Sequence, residues 1–159
     1  AVGYMRKRKK ILYVDFENGE DSLTDRADQS LINVENPDLT NSTNEERLLK
    51  LLRKYDRLGA EVLYKRFPAK TTSFVQVREW YRRVQQQFGF QAKIAIFDYL
   101  GLMASSDGEK DDNARISTVY LEAKNFADEE GIDVLYTAHH VTRDAYKRSA
   151  SKYLPEDIC

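Results

Sequence analysis

The sequence predicts an α/β fold with a mainly parallel β-sheet flanked by helices, and two observations support this prediction. Short apolar runs without polar alternation occur four times, at 11–14, 62–64, 94–97 and 134–136. Such runs are typical of strands that are covered on both faces in a parallel sheet. Helical patterns separate the runs, so strand and helix alternate along the chain as they do in right-handed β-α-β units.

Three apolar stripes at helical spacing lie between or beside these runs, and they are most simply core-facing. They contain Leu48, Leu51, Leu52, Tyr55 and Leu58; Phe74, Val77, Tyr81, Val84 and Phe88; and Ile116, Val119, Tyr120, Ala123 and Ala127. A weaker helix is predicted over 20–32. Polar loops are predicted over 33–42 and 104–112, and the tail from 142 to 159 is expected to be a long connection.

Composition limits the classes of protein that fit. With 159 residues, 42% hydrophobic and 32% charged, the chain is long enough for one globular domain. No apolar run approaches the roughly 20 residues of a membrane span. The net charge of −1 argues against a strongly basic nucleic-acid coat protein, but not against a ring enzyme with a few DNA contacts per subunit. The single cysteine, Cys159, cannot form an internal disulfide.

Ligands of open α/β sheets bind beyond the carboxyl ends of the strands, so the residues after each apolar run are the candidates for chemistry. Asp15 and Glu17 follow the first run, Asp98 follows the third, and His139, His140 and Arg143 follow the fourth. Carboxylates, histidines and an arginine are therefore expected to converge on one edge of the sheet. The adjacent histidines and the lack of a second thiol do not fit a zinc site.

Each candidate also has a purely structural interpretation. An aspartate after a buried strand can orient water on a Mg²⁺ bound to nucleotide phosphates, but it can equally be a turn or cap carboxylate. Glu17 begins Glu-Asn-Gly, which is good turn chemistry, and strand-end histidines are often structural. Asp15, within its strand, is expected to point away from the site of Asp98.

Three segments together resemble DnaB-type replicative DNA helicases. Residues 10–17 resemble the strand that ends in the family's catalytic glutamate, and residues 94–101 resemble its Walker B strand. Residues 133–143 resemble the strand that ends in a γ-phosphate sensor with a basic residue three positions on. Residues 61–68 and 153–158 are particularly similar to the replicative helicases of T-even phages.

The resemblance implies a role for each candidate residue. Glu17 would be the base that activates the attacking water, and Asp98 would hold Mg²⁺ through water. His140 would be the phosphate sensor, with His139 as the alternative if the alignment shifts by one residue, and Arg143 would reach a neighbouring subunit's nucleotide. The family's usual sensor is glutamine, and histidine can still donate a hydrogen bond to phosphate.

The resemblance further implies a RecA-like ATPase core that uses ATP and Mg²⁺, assembles as a homo-oligomeric and most simply hexameric ring, and binds single-stranded DNA. A primase, a helicase loader and a cytoplasmic location, in the host if the protein is phage-encoded, are implied too. No G-x-x-x-x-G-K-[ST] motif occurs. Residues 1–159 are therefore expected to be a single partial domain, with the phosphate loop upstream and the arginine finger and final strands downstream. On its own it is expected to be inactive.

Two other functions remain open on the sequence. One is a RepA-like or KaiC-like ring ATPase, since some of these also carry two histidines after this strand. The other is a homologue without a phosphate loop that acts as a binding or scaffold module.

Overall fold

The computed structural model describes residues 9–19, 25, 28–31, 42–108 and 111–138. Four strands form one sheet in the order β2-β1-β3-β4: β1 (Ile11–Asp15), β2 (Val62–Arg66), β3 (Ile94–Asp98) and β4 (Val134–Thr137). All three pairings are parallel. Along the chain β1 is followed by β2, and β3 then lies on the other side of β1 from β2.

The described helices are α1 (Ser42–Arg57), α2 (Phe74–Phe88) and α3 (Asp112–Glu129), and a 3₁₀ turn follows β3 at Leu100–Leu102. These elements confirm the predicted alternation of strand and helix. The Gln76 side chain accepts a hydrogen bond from the Ser73 backbone N–H at the start of α2 (2.9 Å). Gly89 ends α2 in the left-handed conformation, with φ of 64°, which glycine adopts without steric cost.

One face of the sheet forms the main core with α2 and α3. Alternate residues of the central strands point to this face, as the pleat requires. Aromatic rings fill the layer beneath them: the Phe97 ring centroid lies 6.0 Å from that of Phe126 and 5.3 Å from that of Phe74. The buried residues here include Leu12, Val14, Phe74, Val77, Tyr81, Ala95, Phe97, Val119, Ala123 and Phe126.

The predicted burial holds for the centre of the sheet and fails at its sides. Strands β1 and β3 are almost entirely buried, whereas β2 and β4, the outer strands of the described sheet, are partly exposed. Two stripe residues predicted to face the core are also exposed. Phe88 lies in the last turn of α2 with 70% of its surface accessible, and Leu52 of α1 is 38% accessible. Leu48 and Tyr55 of the same α1 stripe are buried with Leu31 and Ala60 in a second, smaller cluster.

The polar loop predicted over 104–112 is wrong at its end. Asp111 caps α3, because its side chain accepts a hydrogen bond from the Ala114 backbone N–H (2.8 Å), and Asp112 is the first residue of the helix. Aspartate is strongly favoured at this capping position. Of the helix predicted over 20–32, residues 25 and 28–31 are described and are helical. The rest of that helix, the loop predicted over 33–41 and the tail from 142 lie outside the described residues.

None of the described helices combines the length and the apolar character that crossing a bilayer requires.

Candidate functional site

Asp15 and Asp98 are the last residues of β1 and β3, and they lie side by side at the carboxyl end of the sheet. The two strands pair in parallel with Asp15 opposite Asp98. Residues in register on adjacent strands point to the same face of a sheet. The prediction that Asp15 points away from Asp98 is therefore wrong. That prediction considered each strand alone. Whether residues on two neighbouring strands share a face depends on the register between the strands.

Asp15 is a buried carboxylate that organises the turn after β1. Its Oδ1 accepts hydrogen bonds from the backbone N–H groups of Glu17 (3.0 Å) and Asn18 (2.9 Å). Its Oδ2 accepts one from the Tyr64 hydroxyl on β2 (3.0 Å). An aspartate that binds the backbone two and three residues ahead is a common way to fix a turn. Asp15 thus determines the path of the backbone that carries Glu17.

Asp98 is half-buried and has a different set of partners. Its Oδ2 accepts hydrogen bonds from the Tyr13 hydroxyl (3.0 Å) and from the Asn18 side-chain amide Nδ2 (3.2 Å). Asn18 therefore joins the turn after β1 to the end of β3. The Asp98–Tyr99 peptide that follows is cis.

Glu17 lies in the turn between these two aspartates and is exposed. Burial, and secondly the negative charge of Glu17, raise the pKa of Tyr99 above its ordinary value of 10. The Asn18 side chain, in the same turn as Glu17, donates a hydrogen bond to Asp98 Oδ2 (3.2 Å), so this turn lies beside the end of β3. The backbone of Glu17 and the side chain of Asp98 thus lie at the same end of the sheet, and the roles expected for both residues stay predictions.

The three carboxylates that follow β1 and β3 have no cationic partner in the part of the chain that the structure describes. Within the described ranges, neither Asp15, Glu17 nor Asp98 forms an ion pair with a lysine or arginine. The described residues also contain no cluster of three or more His, Cys, Asp or Glu side chains suited to hold a metal directly. A cation at this edge would have to be held by one or two carboxylates together with other ligands, which is the usual arrangement for Mg²⁺ on a nucleotide.

The end of β4 is joined to the segment after β3. The hydroxyl oxygen of Thr137 accepts a hydrogen bond from the Leu100 backbone N–H (3.0 Å). His139, His140 and Arg143 follow this strand but lie outside the described residues, so their roles stay predictions.

Three polar side chains at this edge were missed in the sequence: Tyr13, Asn18 and Tyr64. A signal for the tyrosines was present, since a hydroxyl within an otherwise apolar strand needs a hydrogen-bond partner. The sequence contained no such signal for Asn18, because an asparagine in Glu-Asn-Gly is already explained by the turn.

A cavity of about 310 Å³ lies beside this edge, lined by residues after β2 and around the start of α3. It includes Lys70, Ser105 and Arg115 but none of the predicted site residues. The Arg115 guanidinium donates to the carbonyl oxygens of Gly101 (3.1 Å) and Met103 (2.6 Å), so it holds the segment after β3 in place.

Comparison with known proteins gives one family and a common fold. Residues 1–157 match the family described as the DnaB-like helicase C terminal domain. The chain is similar to a DnaB-like replicative helicase whose structure was determined with its interactions with primase, with a TM-score of 0.72 and 14% identity. It is also similar to a second solved structure, that of an ATPase domain, with a TM-score of 0.73 and 14% identity. No curated protein matches the sequence significantly.

Both structural matches cover 96% of this chain, but the chain spans only 38% and 54% of the two matched chains. At this level of identity the structural likeness shows the fold, and it confirms the predicted RecA-like core with a mainly parallel sheet and flanking helices.

Proposed function

We propose that this chain, which belongs to the family of DnaB-like helicase C-terminal domains, is part of the ATPase motor of a hexameric replicative DNA helicase. In this proposal the motor couples ATP hydrolysis to translocation on single-stranded DNA and to unwinding of the duplex. The family supports ATP-dependent helicase chemistry, and we propose this chemistry for the whole protein together with translocation and unwinding.

The proposal depends on the carboxylates at the carboxyl edge of the sheet. Glu17 and Asp98 lie there on neighbouring segments, joined through Asn18 and without a cationic partner among the described residues. Ligands of parallel α/β sheets bind at this edge. Two carboxylates with separate environments are what phosphoryl transfer to water needs, one near the metal and one near the attacking water.

The residues present fit a magnesium ion held through water. Asp98 offers a half-buried carboxylate whose hydrogen-bond donors all lie on Oδ2, as far as the described residues extend. Mg²⁺ keeps several of its waters and is commonly held by few carboxylates together with nucleotide phosphates. Once bound, it would neutralise negative charge on the β- and γ-phosphates. Asp98 is the residue that we propose to hold it.

Glu17 is proposed as the base for the attacking water. Its turn is fixed by two backbone hydrogen bonds to Asp15, so an exposed and otherwise mobile side chain starts from a defined backbone. A positioned carboxylate of this kind can orient a water molecule and accept its proton. His140, or His139 if the alignment shifts by one, remains the proposed phosphate sensor, and Arg143 the residue that reaches the neighbouring subunit's nucleotide.

The partners that we propose follow from the family. They are single-stranded DNA, further copies of the same chain in a ring, a primase and a helicase loader. A primase is named with one of the two similar structures, the DnaB-like replicative helicase. A particular relation to the helicases of T-even phages, and a location in the cytoplasm, stay predictions from the sequence.

Two other functions are tested by separate observations. A RepA-like or KaiC-like ring ATPase would hydrolyse ATP without DNA-stimulated unwinding, so an unwinding assay on the intact protein distinguishes it. A binding or scaffold module without a phosphate loop is tested by reading the coding frame upstream of Ala1. A phosphate-loop sequence there excludes it.

The test of the proposed function is Glu17→Gln in the intact protein. The amide keeps the size of the side chain and can orient water, but it cannot accept a proton. ATP affinity should stay unchanged, and turnover should fall on the order of a hundredfold or more, the usual contribution of a positioned general base. Nucleotide affinity and steady-state hydrolysis are measured side by side on the wild type and the variant.

Glu79→Gln is the matched control, because it makes the same change on an α2 residue that has no part in the proposed site. Turnover should then stay near the wild-type value. Near-normal turnover of Glu17→Gln would show that Glu17 is not the base and has only a structural role in the turn.

A further inference from the structure

Two hydrogen bonds between a tyrosine and an aspartate repeat across three neighbouring strands. The Tyr64 hydroxyl on β2 donates to Asp15 Oδ2 on β1, and the Tyr13 hydroxyl on β1 donates to Asp98 Oδ2 on β3, each at 3.0 Å. We refer to these four residues as the tyrosine–aspartate ladder. Its last aspartate is the proposed magnesium residue.

The register of the sheet explains why the same bond forms twice. Tyr64 is opposite Tyr13, and Asp15 is opposite Asp98. Each aspartate therefore lies one strand over and two residues further along than the tyrosine that binds it. Residues two apart in a strand share a face, so a long side chain such as tyrosine can reach its diagonal neighbour. The two rings lie beside each other, with centroids 6.1 Å apart.

The two bonds act on carboxylates in different surroundings. Asp15 is buried, and both of its oxygens receive hydrogen bonds. Asp98 is half-buried, and both of its hydrogen bonds, from Tyr13 and Asn18, are to Oδ2. Among the described residues, none donates to its Oδ1. A neutral donor orients a carboxylate without cancelling its charge, whereas a lysine or arginine would do both.

We propose that Tyr13, together with Asn18, is a positioning residue for Asp98. The hydroxyl and the amide hold Oδ2, and Oδ1 would then be the oxygen that holds the magnesium ion through water. Tyr64 has a separate task, since it acts through Asp15 on the turn that carries Glu17. This inference rests on the proposed function, because it assigns a partner to the residue that would hold the metal.

The test is Tyr13→Phe in the intact protein, which removes the hydroxyl and keeps the ring. The probe is Mn²⁺ in the presence of a non-hydrolysable ATP analogue, and its affinity is measured by electron paramagnetic resonance. Loss of a residue that orients a metal ligand weakens metal binding by about tenfold or more, and we expect about tenfold because Asn18 still donates to Oδ2. The Mg²⁺ concentration for half-maximal ATP hydrolysis should rise in parallel.

Tyr64→Phe is the matched control, since it makes the same change on the adjacent strand. Its hydroxyl binds Asp15 and not Asp98. We expect a lower kcat with the wild-type affinity for Mn²⁺. Asn18→Ala removes the second donor to Oδ2 and should weaken Mn²⁺ binding, and it carries the test if Tyr13→Phe does not fold.

Unchanged Mn²⁺ affinity in Tyr13→Phe, or in Asn18→Ala where Tyr13→Phe does not fold, overturns the inference, and so does an equal loss in Tyr13→Phe and Tyr64→Phe. In both cases the proposed function stands as long as Asp98→Asn abolishes hydrolysis. Hydrolysis that is insensitive to Asp98→Asn removes Asp98 from the metal site and removes the inference with it.

Discussion

The two ends of the sheet handle their carboxylates in opposite ways. At the amino end, where the strands begin, carboxylates are paired with cations. The pairs are Lys10 with Glu61 (3.0 Å), Arg82 with Glu130 (2.7 Å) and Lys93 with Asp133 (3.8 Å). At the carboxyl end, Asp15 and Asp98 receive hydrogen bonds from tyrosine hydroxyls, an amide and backbone N–H groups, all of them neutral.

In the proposed function this difference separates an end that contributes to stability from an end that binds a cation. An ion pair cancels charge, and its contribution is structural. Neutral donors fix the direction of a carboxylate and leave its negative charge in place, so the carboxyl end keeps a potential that attracts a cation. In the proposed function this cation is the magnesium ion of a nucleotide complex. Variants that change one end at a time should therefore have different effects.

The largest effect on stability is expected at Asp15. Asp15→Asn cannot accept all three of the hydrogen bonds that the carboxylate receives, because one of its oxygens becomes an amide donor facing the Tyr64 hydroxyl or the turn N–H groups. We expect a loss of about 2 kcal/mol in the free energy of unfolding, since the site is buried and the lost bonds are to a charged group. Chemical denaturation measures it.

Turnover should fall as well, because the backbone of Glu17 loses its anchor. An Asp15→Asn variant that unfolds like the wild type would show that other groups hold the turn. The hydrogen bonds to Asp15 would then not support the contrast between the two ends of the sheet.

A smaller effect is expected at the amino end. Arg82→Ala removes the partner of Glu130, whose side chain is 5% exposed, while that of Arg82 is 51% exposed. An ion pair with one exposed member contributes little, so we expect a loss of about 1 kcal/mol in the free energy of unfolding. ATP turnover at a temperature where the variant is folded should equal that of the wild type. A selective loss of turnover would mean that the amino end takes part in function.

Much of the fold was readable from the sequence because its signals are local. Four apolar runs predicted four strands, and each strand extends one or two residues beyond its run, so Asp15 and Asp98 are strand ends and not loop residues. The stripe of α2 predicted the buried faces of Phe74, Val77 and Tyr81. Phe88 is the exception, since it is the last residue of the helix and is exposed.

The site was only partly readable, because its contacts depend on strand order and register. That the turn carrying Glu17 and the end of β3 lie at one edge follows from the general rule that parallel strands end together. That Asp15 lies beside Asp98, and that Tyr13 reaches Asp98 while Tyr64 reaches Asp15, requires the order β2-β1-β3 and the pairing of specific residues. Those are set by packing over the whole sheet, and no short segment encodes them.

In the proposed function the carboxyl end of the sheet, and not the amino end, holds the magnesium nucleotide. Asp98→Asn and Asp133→Asn make the same carboxylate-to-amide change at opposite ends of the sheet, and Mg²⁺-dependent ATP hydrolysis by the intact protein compares them. We expect Asp98→Asn to lose activity on the order of a hundredfold. Asp133→Asn, at an exposed ion pair, should stay within about twofold of the wild type. Equal losses in the two variants, or near-normal hydrolysis by Asp98→Asn, would contradict a magnesium nucleotide at the carboxyl end.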